Sequence, residues 1–186
     1  MESHKHNSDE CCCKSNTSSV QQSLPEMDFE RGIWYAAQTG DYERLEKLLR
    51  KGVSPDIEDS AGYTALHYAA RNGHAIVCRE LLNRGANVNA QTRSGRATAL
   101  HRAASQNLPD IIKLLLSFKA DPNLVDADGN TALHRAVITN ASCACEELLK
   151  SCNSGIVNKN NKTVYEIVKA KGQEDLIKLF QKTGMQ

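Results

Sequence analysis

No charge of one sign dominates this chain. Twenty-three basic and 22 acidic residues leave a formal net charge of +1. That field is too weak, by itself, to draw in nucleic acid or an anionic membrane. Long apolar runs are missing too. The densest, Ile111 to Leu116, is far too short to cross a bilayer. No apolar segment follows Met1-Glu-Ser-His4, so no signal peptide is expected. Seven cysteines is an odd number, and Cys11, Cys12 and Cys13 are adjacent. That is not the spacing of a secreted disulfide framework; a reducing, cytoplasmic setting is expected, with the nucleus as a second address. A Gly-rich phosphate loop, a Ser/His/Asp order with local context and a pair of carboxylates in a plausible pocket are all lacking. The sequence predicts no reaction and no cofactor.

What is there repeats. Leu66-His67-Tyr68-Ala69-Ala70 has a relative 33 residues upstream, Ile33-Trp34-Tyr35-Ala36-Ala37. Another lies 34 downstream, Leu100-His101-Arg102-Ala103-Ala104, and a third 33 further on, Leu133-His134-Arg135-Ala136-Val137. A weaker copy, Tyr165-Glu166-Ile167-Val168, follows 32 later. A second apolar row, Leu48-Leu49, Leu81-Leu82, Leu115-Leu116 and Leu148-Leu149, keeps the same register. Two independent rows locked to one period define a repeat protein.

Each unit reads as two short helices. Thr64 stands where an N-cap belongs, with alanine and leucine behind it at helical spacing. Gly40 and Gly73 stop the first helix, and Asn107 and Asn140 replace them in later units, asparagine being the next most tolerant of left-handed backbone. A second helix follows, such as Ile76 to Asn83, and Gly85 closes it. Neither helix is long enough to persist alone, so each apolar face must be buried by its neighbours. Lys119 falls where Gly52 and Gly85 stand elsewhere and should strain the backbone there.

The histidines invite a metal reading, which the spacing rejects. Stacked helices lie about 8–10 Å apart, whereas zinc needs nitrogens at about 2.0–2.1 Å around one point. His67, His101 and His134 come from successive units and cannot converge. Thr64 with His67, Thr98 with His101 and Thr131 with His134 are instead three apart at helix starts, a capping box with imidazole in place of a carboxamide. The prediction is structural bolts. Trp34 takes the histidine's place in the first unit and is read as a shield for the end of the core. Cys78 and Cys145 align with Ile112 and are read as small buried hydrophobes. His4, His6 and Cys11 to Cys13 could bind a soft metal or be acylated, but residues 1–25 read as a disordered tail.

The stretch Thr64-Ala-Leu-His-Tyr-Ala-Ala-Arg-Asn-Gly-His74 resembles the ankyrin-repeat consensus, with Ala65 in place of proline. The resemblance implies an all-α solenoid of stacked helix-turn-helix units with short β-hairpin-like connections. Units are expected at about 29–60, 61–93, 94–127 and 128–160, with a C-terminal cap at 161–184, all within a domain of residues 26–186. It further implies a non-catalytic adaptor or scaffold, expected as a monomer, that binds a protein partner. Inhibition of an enzyme such as a kinase, by blocking its active cleft, is the alternative. Asn89 and Asn123 occupy positions that the resemblance marks as candidates for hydroxylation.

Ankyrin stacks present their hairpin tips and first-helix faces along a concave groove. The residues just after the histidine positions are Tyr35, Tyr68, Arg102 and Arg135, and three further on come Gln38, Arg71, Ser105 and Ile138. Tyrosine and arginine are enriched among residues that dominate binding energy. Glu58 and Asp59 make the first tip acidic, Asp126 and Asp128 the third; Arg93 and Arg96 make the second basic, and that tip holds one extra residue. With Arg71, Arg102 and Arg135 this predicts a central basic strip able to meet an acidic segment of a partner.

Overall fold

The computed structural model describes residues 32–183. The tail at residues 1–25, with His4, His6 and Cys11 to Cys13, lies outside them. Among the described residues, ten helices follow one another in pairs: α1 (Ile33–Thr39) with α2 (Tyr42–Arg50), α3 (Ala65–Asn72) with α4 (Ala75–Asn83), α5 (Ala99–Ser105) with α6 (Pro109–Ser117), α7 (Ala132–Ile138) with α8 (Ser142–Leu148), and α9 (Val164–Lys171) with α10 (Glu174–Lys182). No strand occurs among the described residues; the connections are hydrogen-bonded turns.

Each helix holds seven to nine residues, below the roughly 12–15 needed for persistence alone. Packing supplies the rest. The odd-numbered helices form one layer, α1 on α3, α3 on α5, α5 on α7 and α7 on α9, and the even-numbered helices form a second. Ala36, Ala37, Ala69, Ala70, Ala103 and Ala104 are fully buried in the first layer, where small side chains let the helices approach closely. Leu45, Leu81, Leu115 and Leu148 are equally buried beneath the second. Burying one such leucine contributes about 1.5–3 kcal/mol. Cys78 and Cys145 lie in that core beside Ile112, and burial pushes both thiols up to about 12. They pack as apolar groups.

The tips are zipped to one another. Arg93 N–H donates to Ala61 O (3.3 Å), Ala127 N–H to Gly95 O (2.8 Å) and Lys159 N–H to Asp128 O (3.0 Å). A Cβ on Gly62 would lie 2.6 Å from Arg93 N, and one on Gly129 would lie 2.8 Å from Lys159 N, so the close approach of successive tips requires glycine there. A second ladder runs beneath, built from Asx turns. Asp56 accepts from Asn87 N–H (2.8 Å), Asn89 from Asp121 N–H (2.9 Å) and Asn123 from Asn153 N–H (2.8 Å). Asn89 and Asn123 thus each tie one unit's entry turn to the next.

Lys119 has φ +64°, whereas Gly52 and Gly85 at the equivalent position have φ +86°. A Cβ on either glycine would meet nothing within 4 Å, so conformation alone favours glycine. Lys119→Gly is expected to stabilise the fold by up to about 1 kcal/mol. The thermal midpoint should rise by about 2–4 °C; an unchanged or lower midpoint would show that the lysine side chain offsets the strain.

Candidate functional site

The candidate face is built on the first helices, and their starts are fixed by the histidines. His67 Nδ1 accepts the Thr64 backbone N–H (3.1 Å) and lies 3.0 Å from Thr64 Oγ1. Because Nδ1 accepts a backbone donor, the proton sits on Nε2, which donates to Ala97 O (3.0 Å). His101 repeats this with Thr98 and Asn130 O (3.0 Å), and His134 with Thr131 and Lys162 O (3.3 Å). Ala97, Asn130 and Lys162 immediately precede the next unit's N-cap threonine. Each imidazole therefore caps its own helix and grips the start of the following one. The rings stand in series, with both nitrogens occupied. Among the described residues, no group of three or more His, Cys, Asp or Glu is placed to hold a metal ion.

The ends of the row each perform half of that task. Trp34 has a donor and no acceptor: its indole N–H reaches Ile57 O (2.9 Å), in the connection that leads to the second unit, while the N-cap Gly32 makes no side-chain cap. Glu166 has acceptors and no donor: it accepts from Thr163 N–H (2.7 Å) and Thr163 Oγ1 (3.0 Å), capping α9 with no described unit beyond it to grip.

The face itself is decided by the tip residues. Asp59 Oδ1 accepts from Ala61 N–H (2.9 Å) and Tyr63 N–H (2.8 Å), and Oδ2 takes the Tyr68 hydroxyl (2.6 Å). Asp126 does the same two units on. Its Oδ1 accepts from Asp128 N–H (2.8 Å) and Asn130 N–H (3.0 Å), and Oδ2 takes Arg135 Nε (2.5 Å). Arg135 also reaches Asp128 (2.8 Å). Asp126 is therefore not an acidic tip charge: only 2 % of it is exposed, because its carboxylate is consumed in closing its own turn. The Asp-x-x-Gly-x-Thr spacing at 59–64 and 126–131 carried that signal.

The middle unit departs from this scheme. Thr92 replaces the aspartate, and its hydroxyl accepts Ala97 N–H (3.1 Å) to close the enlarged turn. Arg96 takes the left-handed place at φ +47°, where Gly62 and Gly129 stand in the neighbouring tips. Arg102, the counterpart of Tyr68 and Arg135, has no acid at its own tip. Its guanidinium lies over the Tyr63 ring at 5.0 Å, and Nη2 donates to the Tyr63 hydroxyl. Arg102 Nε is buried and has no acceptor.

The basic strip expected from the sequence is thus partly answered from within. Arg93 pairs with Glu58 (3.0 Å), and Arg135 with two aspartates. Arg71 and Arg96 are exposed. Tyr35 is half-buried with Arg44 stacked over its ring at 5.4 Å. Tyr68 is half-buried beside Tyr63 (5.5 Å between ring centres), and burial followed by the Asp59 contact raises its hydroxyl well above the usual range. No helix among the described residues is long and apolar enough to cross a membrane.

This stack is a solenoid of helix pairs with one continuous first-helix face, and a family profile described as ankyrin repeats in three copies matches it over residues 33–126 and 103–186. The chain belongs to the ankyrin-repeat family. It is similar to human ankyrin repeat domain-containing protein 39, at 58% identity over 83 residues, 44% of this chain and 45% of that protein. The bovine protein of the same name is 62% identical over 65 residues, 34% of this chain and 36% of its relative. Human SH3 and multiple ankyrin repeat domains protein 2 is 33% identical over 143 residues, 76% of this chain and 8% of that protein. The matches thus span less than half the length of these relatives.

Proposed function

We propose that this chain is a non-catalytic protein-binding module, an adaptor or scaffold, that receives a segment of its partner along the first-helix face. The observation that supports this most directly is the row Tyr35, Tyr68, Arg102 and Arg135, half-buried on four successive first helices. Their bases are braced by the chain's own contacts and their outer surfaces remain open. Such groups are held in place before a partner arrives, which lowers the entropy lost on binding.

The bracing also dictates the variant that tests it. Tyr68 and Arg135 hold Asp59 and Asp126, so replacing them would disturb the tips. Arg71 and Ile138 are exposed and lie one turn further along the same face. An Arg71→Glu, Ile138→Asp double variant that keeps the wild-type circular dichroism and unfolding midpoint should lose the proteins captured specifically by the wild type from a cell lysate. Recovery of the same set by both would place binding elsewhere.

A further inference from the structure

Between α5 and α7 the first-helix face is indented by a recess of about 180 Å³, bordered by Ala97, Arg102, Ser105, Arg135, Ile138 and Thr139. Two arginines border it, but they are in different electrostatic states. Arg135 is held by Asp126 and Asp128 and contributes no unanswered charge. The Arg102 guanidinium donates to the Tyr63 hydroxyl rather than to a carboxylate, and its Nε–H is buried without an acceptor.

The neighbouring units show what is missing. In the second and fourth units, the residue after the histidine donates to an aspartate nine positions earlier, Tyr68 to Asp59 and Arg135 to Asp126. In the third unit that aspartate is Thr92, and the extra residue in the tip places it ten positions before Arg102. Thr92 spends its oxygen on Ala97 N–H. The unit keeps the cation and omits its carboxylate. A guanidinium with a desolvated, unmatched N–H is a costly arrangement unless an acceptor is provided. It is also a forked donor whose geometry suits a carboxylate.

We propose that the Arg102 recess receives an acidic side chain, Asp or Glu, from an extended segment of the protein partner, which supplies the carboxylate that Thr92 does not. This rests on the binding face proposed above and narrows its partner chemistry. The acid enters between α5 and α7, meets the guanidinium that Tyr63 positions from behind, and lies against the apolar part of Ile138. Asp128 and Asp126, already engaged by Arg135, set the far limit of the acid's position by repulsion.

Peptides displayed on phage, fused at their C-termini so that no free terminal carboxylate is present, provide the test. The full chain is used as bait beside an Arg102→Gln variant whose fold is verified by its unfolding midpoint. The wild type should select peptides with Asp or Glu at one fixed position. In a synthetic copy of a selected peptide, replacing that acid by its amide should weaken binding roughly tenfold or more. The Arg102→Gln variant should bind both peptides alike, and Arg102→Glu should shift selection at that position towards Lys or Arg. Peptides selected without a fixed acid, or an acid preference that survives in Arg102→Gln, overturn the recess assignment while leaving the binding face intact. Selection of no peptides by the wild type overturns the binding face, and the recess with it.

Discussion

Asp126→Ala is expected to lower the stability of the fold by roughly 3–5 kcal/mol. The side chain has no solvent exposure and receives two backbone N–H groups and the Arg135 guanidinium. Its removal leaves two donors at a buried turn and a half-buried cation with its nearer acid gone. The third tip would open, and with it the Asn130 carbonyl that His101 grips. Asp128→Ala gives the contrast: that carboxylate is 68 % exposed and makes a peripheral pair with the same arginine. A surface pair of this kind contributes about 0–1 kcal/mol. Urea unfolding of the two variants separates them. Equal losses would mean that the Asp126 contacts are formed by water just as well in its absence.

The second large effect is an acid sensitivity. His67 is buried neutral, and desolvation outweighs the Ala97 hydrogen bond to depress its pKa to about 4; burial lowers His101 and His134 in the same way. The unfolded chain binds these protons near pH 6.5, and the folded chain takes them up only at lower pH. Stability is therefore fully present above about pH 6.5 and falls as the pH drops through the window below it. Each such histidine removes up to about 1.4 kcal/mol per pH unit while only the unfolded form is protonated. For His67, down to about pH 4, the loss reaches roughly 3 kcal/mol. Urea midpoints between pH 7.5 and 4.5 should decline more steeply than one titrating group explains. His67→Gln retains a capping-box residue at that position and cannot titrate, so its curve should be lower at neutral pH and flatter below. A variant that keeps the wild-type slope would remove His67 from the account.

The fold was legible because its signal is periodic. Rows of alanine and leucine at a period of 32–34 residues report helix pairs that must stack, and the Thr-x-x-His spacing reports their starts. The left-handed places were legible as well, since Asn107 (φ +55°), Asn140 (φ +58°) and Lys119 (φ +64°) occupy slots where other units carry glycine. The electrostatics of the candidate face were not. Asp126 and Arg135 read from the sequence as two surface charges, one at a tip and one on a helix. They are a single pair, a buried carboxylate with a half-buried guanidinium, because the turn folds back onto the helix start nine positions on. Arg102 reads as the equal of Arg135, and only the contacts show that one has its acid and the other has none.

Residue order alone settled that this chain is a row of paired helices, marked the threonine starts of several first helices and the glycine and asparagine positions that stop them, and pointed to the histidines as capping groups. Local hydrogen bonding and apolar periodicity act over a few residues, and a linear string records them completely. Which charges remain available to a partner was decided only in three dimensions. Coulomb energy and desolvation depend on which group lies within a few ångströms through space, and here the deciding neighbours are 9 and 39 positions apart.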